Sequence, residues 1–314
     1  MKRLGLAMVM AAGTLLMTAP AFPEATTGQG QAVVTVLPKM NKEAPVKILP
    51  EDLQVKLNGK ESSVTDWVPL RGVHSDLELV VLIDDGASSD IGSQLDQIAD
   101  FINSLPANVK VGVGYMKNGR AAMGGPLSTD HPLVARGLHL PGGGPGSSGS
   151  PYFCLSDLAQ HWPSSDHAAR HEVVLITDGV DNYSPRFDPD DPYVQAAIND
   201  SARAGLVVYS IYWPNRGRGD NSFNTSNAGQ SLLAQVTEAT GGASYWMGSG
   251  PPVSFKPYFE DIALRLRNQY RLSFASALQG KPEVQNMALK VGGPAAKVYA
   301  PQQVFVTHPA VAEE

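Results

Sequence analysis

Two hydrophobic rhythms alternate along the 314-residue chain. From Gln31 to about Asp76 the apolar runs are short and strand-like, at 32–36, 46–48 and 53–57, and the last of them is followed by Asn58-Gly59. Asn-Gly closes tight hairpins because both residues tolerate positive φ, so this stretch predicts a small β unit. At Leu77 the pattern changes. Residues 77–83 are almost continuously apolar, as a parallel strand buried on both faces requires. Ile91, Leu95, Ile98, Phe101, Ile102 and Leu105 then follow at helical spacing. The alternation repeats, with strands predicted over 109–116, 173–176, 206–212 and 243–247, and helices over 151–162, 193–204, 232–239 and 255–267. Strands and helices in turn imply right-handed crossovers. The fold class predicted for residues 77–269 is therefore α/β, a three-layer, doubly wound, mostly parallel sheet.

After Tyr270 the short period returns, at 271–274, 288–291 and 304–306. Termini of a compact unit lie close together, so residues 31–76 and 270–307 are predicted to pair into one small β-sandwich that carries the α/β unit as an insertion. Residues 308–314 read as a frayed tail.

Composition narrows the function. Glycine and proline number 31 and 24, which predicts many loops without reaching the low-complexity range, and 43% hydrophobic residues suffice for a packed core. A net charge of −6 with no basic stripe argues against a nucleic-acid partner. Residues 1–21 are a separate object. Lys2 and Arg3 precede the apolar run 4–17, and Ala19-Pro20-Ala21 supplies an A-x-A cleavage site, the pattern of a secretory signal peptide. The expected destination is the periplasm or the extracellular space. No later segment approaches the length of a bilayer span. Cys154 is the only cysteine, so no intrachain disulfide supports the fold.

In a doubly wound sheet, ligands bind beyond the carboxyl ends of the strands. Two acidic loops leave apolar strands here: Asp84-Asp85-Gly86-Ala87-Ser88-Ser89-Asp90 and Thr177-Asp178-Gly179-Val180-Asp181-Asn182. Carboxylates and hydroxyls suit hard cations such as Mg²⁺, Ca²⁺ or Mn²⁺. In these two motifs, Leu79-Val80-Val81-Leu82-Ile83-Asp84 and Val173-Val174-Leu175-Ile176-Thr177-Asp178-Gly179, the chain resembles the von Willebrand factor type A domains. It is most similar to bacterial exported proteins in which strand-rich segments flank such a domain. The resemblance spans roughly 31–307. It implies a metal-ion-dependent adhesion site, built in that family from Asp-x-Ser-x-Ser on one loop, a Thr on a second and an Asp on a third. The matching residues are Asp84, Ser88 and Asp178, with Ser150 as the best substitute for the Thr. Gly86 replaces the first serine and offers no side-chain oxygen. Asp85, Gly86, Ser89 and Asp181 would form the surrounding rim. The metal implied is Mg²⁺, with Ca²⁺ or Mn²⁺ as substitutes, and its shell would be completed by an acidic side chain of a protein partner.

The function this implies is an exported, non-enzymatic protein-binding or adhesion module. The alternatives are a metal-free structural or assembly domain and, third, a metal-dependent hydrolase. Other motifs read as structure. The loop 142–149 lacks the Lys-Ser or Lys-Thr of a phosphate loop. His161, His167 and His171 are separated by a proline and serines and read as surface histidines. Asp188, Asp190 and Asp191 read as a helix start, and Cys154 as a core thiol. Arg218-Gly219-Asp220 falls in a long loop read as exposed.

Overall fold

The computed structural model describes residues 26–38, 47–144, 146–166, 168–183, 188, 190–215, 223–248, 250–278, 280–292 and 296–309. The expected signal peptide 1–21, His167, Arg218-Gly219-Asp220 and residues 310–314 lie outside them. In chain order the strands are β1 (Thr26–Pro38), β2 (Leu53–Leu57), β3 (Lys60–Pro69), β4 (Leu77–Asp84), β5 (Lys110–Lys117), β6 (Arg120–Met123), β7 (Arg170–Thr177), β8 (Val207–Tyr212), β9 (Ala243–Tyr245), β10 (Gln269–Leu278), β11 (Glu283–Val291), β12 (Ala296–Tyr299) and β13 (Gln303–Val306). The helices are α1 (Leu95–Ser104), α2 (His131–Arg136), α3 (Pro151–Gln160), α4 (Pro192–Ala204), α5 (Phe223–Thr240) and α6 (Lys256–Leu266).

The central sheet has the order β6-β5-β4-β7-β8-β9, parallel throughout except for β6. Every residue of β4 is buried, and the parity of its side chains separates two cores. Leu79, Val81 and Ile83 pack with Ile98, Phe101 and Ile102 of α1 and with Phe259 and Ile262 of α6. Val80 and Leu82 pack on the opposite face with Tyr152 and Leu155 of α3, Val194 and Ile198 of α4 and Val236 of α5. A strand whose alternate residues serve two helix layers has to be apolar along most of its length, which explains the near-continuous run at 77–83, broken only by buried Glu78. Each such side chain contributes about 1.5–3 kcal/mol on burial. Strand order reverses between β4 and β7, because the chain steps outward to β5 and β6 before it returns to the other side of β4. Asp84 and Thr177 therefore end neighbouring strands at the switch point.

The flanking segments pair as one antiparallel sheet, ordered β12-β1-β10-β3-β2-β11-β13. Two stacked sheets were expected. The described strands instead make a single sheet that curls until its far strand meets β1, where Gln29 and Thr307 exchange backbone hydrogen bonds of 2.8 and 2.9 Å. Glycine permits that approach, since a Cβ on Gly30 would stand 2.8 Å from the Phe305 carbonyl oxygen. Inside the curl, Val34, Val55, Leu57, Leu272, Phe274 and Val306 form a separate core, and Trp67 stacks on Tyr270 at 4.6 Å.

Arg170 joins the two sheets. Its Nη1 and Nη2 donate to the carbonyls of Leu70 and Leu266 at 3.2 and 3.1 Å, while its Nε lies 3.2 Å from Oε1 of fully buried Glu172. Burial pushes the Glu172 carboxyl above its ordinary value and Arg170 opposes that rise.

Elements absent from the sequence reading are β6, α2 and β12. The strand expected at 46–48 has no counterpart in residues 47 and 48. The helix expected to contain 232–239 is α5, which runs from Phe223 to Thr240.

Candidate functional site

The carboxyl ends of β4, β7, β8 and β9 form a rim, and the local chemistry of two loops closes it. Asp84 is buried at the end of β4. Its Oδ1 accepts from the N–H of Gly86 at 2.8 Å, and its Oδ2 accepts from the hydroxyl of Thr177 at 2.8 Å. That second bond ties the ends of β4 and β7 together. The Thr177 carbonyl accepts from the N–H of Trp213 at 2.9 Å, and the Trp213 indole donates to Ser88 Oγ at 3.2 Å. Asp178 Oδ1 turns back to accept from the N–H of Val180 at 2.9 Å. Its loop is held down by α5: Gly179 adopts φ +70°, and a Cβ on Gly229 would stand 2.1 Å from the Asp178 carbonyl oxygen. Ser150 is the N-cap of α3 and accepts from the N–H of Phe153 at 3.4 Å.

Asp84, Ser88, Ser150 and Asp178 thus lie around one rim, and each has an intramolecular partner there. Asp85, one residue further on, holds the glycine-rich loop. Its Oδ1 accepts from the N–H of Gly142 at 2.9 Å, its carbonyl accepts from the N–H of Gly143 at 3.1 Å, and Lys117 Nζ stands 3.8 Å from its Oδ2. The loop is fixed at its other end as well, where the carbonyls of Ser147, Ser148 and Gly149 accept from the N–H groups of Asn118, Gly119 and Asn182.

This closure decides how the residues suit a divalent ion. A side chain at position 86 would place its Cβ 3.0 Å from the N of Gly146, 3.1 Å from the carbonyl oxygen of Gly144 and 3.1 Å from Nδ2 of Asn215. The space that a first serine would use is filled by the glycine-rich loop and by Asn215. With Gly86 lacking an oxygen and Ser150 engaged as a cap, the set Asp84, Ser88, Ser150 and Asp178 does not fit an ion held at that position. A different group of polar atoms is left over beside it. Ser147 Oγ, Ser148 Oγ and both amide atoms of buried Asn215 have no hydrogen-bond partner among the described residues.

Of the four rim residues expected to meet a partner, Ser89 is exposed, whereas Asp85, Gly86 and Asp181 are buried. Asp181 Oδ1 accepts from the N–H of Tyr183. The exposed rim carries apolar groups the sequence reading missed: Tyr183, Trp246, Met247 (69% exposed) and Val253 (90% exposed). No periodicity marks them, because each sits in a loop. The remaining candidates behave as structure. Cys154 is buried, burial pushes its thiol up, and Sγ donates to the Ser148 carbonyl. His171, expected at the surface, is instead buried near Glu78 because it sits on β7 between the two sheets, while exposed His161 lies beside Asp157 on α3. Asp191 caps α4. Among the described residues no helix is long and apolar enough to cross a membrane.

No protein-family model and no curated protein sequence matches the chain. Among solved structures it is similar to an aerotolerance-related membrane protein from Bacteroides fragilis, with 15% identity, covering 60% of this chain and 98% of that one at a TM-score of 0.42. It is similar to the pilus adhesin SpaC from Lactobacillus rhamnosus GG, with 9% identity, covering 87% of this chain and 49% of that one at a TM-score of 0.43. A third similar structure is proximal thread matrix protein 1 from the mussel byssus with a zinc-occupied MIDAS motif, with 14% identity, 65% and 48% coverage and a TM-score of 0.39. The fold is α/β, a six-stranded, mostly parallel sheet joined to a seven-stranded antiparallel sheet.

Proposed function

We propose that this chain is an exported, non-enzymatic protein-interaction module that engages its partner through the carboxyl-end rim of the parallel sheet, with no resident metal. The observation that carries this reading is the occupied space at Gly86: the glycine-rich loop and Asn215 fill the place of a first serine, and the same end of the sheet presents Tyr183, Trp246, Met247 and Val253 to solvent. Exposed large apolar groups grouped on one end of a domain mark contact surfaces. Catalysis receives no support from the arrangement, since the buried carboxylates are engaged by N–H and O–H donors and the one thiol is buried. The sequence pattern of residues 1–21 supports export.

The test is site-specific photocrosslinking in the native host, with the reactive group at Tyr183 or Met247 and a control at exposed Lys60 on the opposite unit. A discrete protein adduct from the rim positions alone is expected. Equal adducts from Lys60, or none from the rim, would refute the reading. A divalent ion is the second reading, and the unpartnered oxygens of Ser147, Ser148 and Asn215 favour it.

A further inference from the structure

We propose that the cleft between the curled sheet and the parallel sheet binds a small hydroxylated carboxylic acid of the sugar-acid class, held by its carboxylate on Arg271. This site is separate from the rim and does not rest on its function. The cleft has a volume of about 740 Å³, inside the range of roughly 300–1,000 Å³ that ligand sites occupy, and it lies where two structural units meet, a usual place for such sites. One wall is the outer face of β1 and β10 together with the segment 301–307. The other is the start of β7 and the end of α4.

The walls are held in place by contacts that need no ligand. Arg170 reaches the carbonyls of Leu70 and Leu266, and Val33 of β1 packs against the core that contains α1 and α6. The chain from β12 to β13 closes the free side of β1. Thr35 pairs with Tyr299, Gln29 exchanges backbone bonds with Thr307, and between them the N–H of Gln302 donates to the Ala239 carbonyl of α5 at 3.0 Å. The cleft therefore admits a compact ligand and no added strand. A Cβ on Gly205, just past α4, would meet nothing within 4 Å, so the space beside that helix end is open.

The charge of the lining selects an acid. Arg170, Arg203 and Arg271 line the cleft, and exposed Asp76 is the one carboxylate among the described lining residues. Arg170 is paired with Glu172 and Arg203 with Asp200. The Arg271 guanidinium makes no hydrogen bond or ion pair with any described residue, and its Nε is shielded from solvent. Its planar fork suits a carboxylate, which it meets with two parallel, charge-assisted hydrogen bonds. Arg271 lies opposite Val33 in register, and the next pair on the same face is Ser273 with Gln31, both of which line the cleft. Their hydroxyl and amide groups donate and accept, as ligand hydroxyls require. The other wall supplies acceptors. The carbonyls of Arg203 and Ala204, at the end of α4, take no backbone hydrogen bond from a described residue. A helix C-terminus and the Asp76 carboxylate both favour hydroxyl donors and disfavour a second acid group, so the ligand carries one carboxylate and several hydroxyls.

The experiment titrates the purified chain calorimetrically with glucuronate, with glucose, which keeps the ring and lacks the carboxylate, and with acetate, which keeps the carboxylate alone. Glucuronate is expected to bind at least about tenfold more tightly than glucose or acetate. Arg271→Gln should erase that preference. Should this variant fail to fold by circular dichroism, Gln31→Trp at an exposed position of the same wall fills the cleft and should abolish glucuronate binding. Lys60→Gln, exposed and outside the cleft, should bind as the parent does. Three results would overturn the proposal: no binding of glucuronate up to about 20 mM, glucose or acetate binding as tightly as glucuronate, or unchanged glucuronate binding in a folded Arg271→Gln or Gln31→Trp variant.

Discussion

Replacing Gly86 by serine restores the residue that the resemblance expects at this place, and the structure predicts that the change destabilises the protein. Gly86 has no positive φ, so the backbone accepts a side chain and the effect is steric. The new Cβ would meet Gly146 N at 3.0 Å and both Gly144 O and Asn215 Nδ2 at 3.1 Å. Two of these three are backbone atoms of a loop tied down at Asp85, Asn118, Gly119 and Asn182, so they yield only if that loop lifts. Inserting a group into a packed site of this kind costs about 1–3 kcal/mol. At about 2–4 °C per kcal/mol for a domain of this size, the melting temperature should fall by roughly 2–12 °C in scanning calorimetry. Gly86→Ala isolates the steric part and should lose most of the same stability. If Gly86→Ser and Gly86→Ala both melt at or above the parent temperature, the loop does not occupy that space and the steric reasoning is refuted.

Three further outcomes follow from the packing. Arg170→Ala removes a guanidinium that bridges both units and leaves Glu172 buried without its partner, so urea unfolding should show a loss of about 3–5 kcal/mol. Burial raises the Glu172 carboxyl above its ordinary 4.5, so the folded form takes up its proton at a higher pH than the unfolded chain. The stability linked to this group is fully present below 4.5 and is lost as pH rises through the raised value. Compared with Glu172→Gln, the parent should therefore gain stability as pH is lowered from neutrality towards 4.5, and an opposite slope in the urea midpoints would contradict the assignment. Asp85→Ala frees Gly142 and the adjoining loop, and hydrogen exchange at 142–144 should speed up by about tenfold while exchange in β4 and β7 stays unchanged.

The parallel sheet was legible because its strands are buried on both faces, and an almost continuous apolar run as short as 77–83, followed by a helical spacing, fits a buried parallel strand best. Of the flanking strands, β1, β2, β10, β11 and β13 were legible as strands. Their closure into one curled sheet was not, because it depends on Gly28 and Gly30 accepting β13 at close range, and a glycine in a strand announces no particular neighbour. β6 had a usable signal: Asn118-Gly119 repeats the Asn58-Gly59 turn, with φ of 49° and 73°, and closes the β5–β6 hairpin. At the site, the order of residues placed Asp84 and Asp178 at neighbouring strand ends. It did not reveal that Thr177 would occupy Asp84, that Asp85 would clamp the glycine-rich loop, or that Asn215 would fill the room beside Gly86. Those are contacts between residues more than fifty positions apart, set by packing rather than by local pattern.

The most direct test of the central claim, that the rim is complete without an ion, is the melting temperature of the purified mature protein with and without millimolar Mg²⁺ or Mn²⁺, measured alongside Asp84→Ala. The closed rim predicts no shift on adding either ion. A rise in the parent that disappears in Asp84→Ala would show that a metal binds there, and the account of a loop-filled, metal-free rim would be wrong.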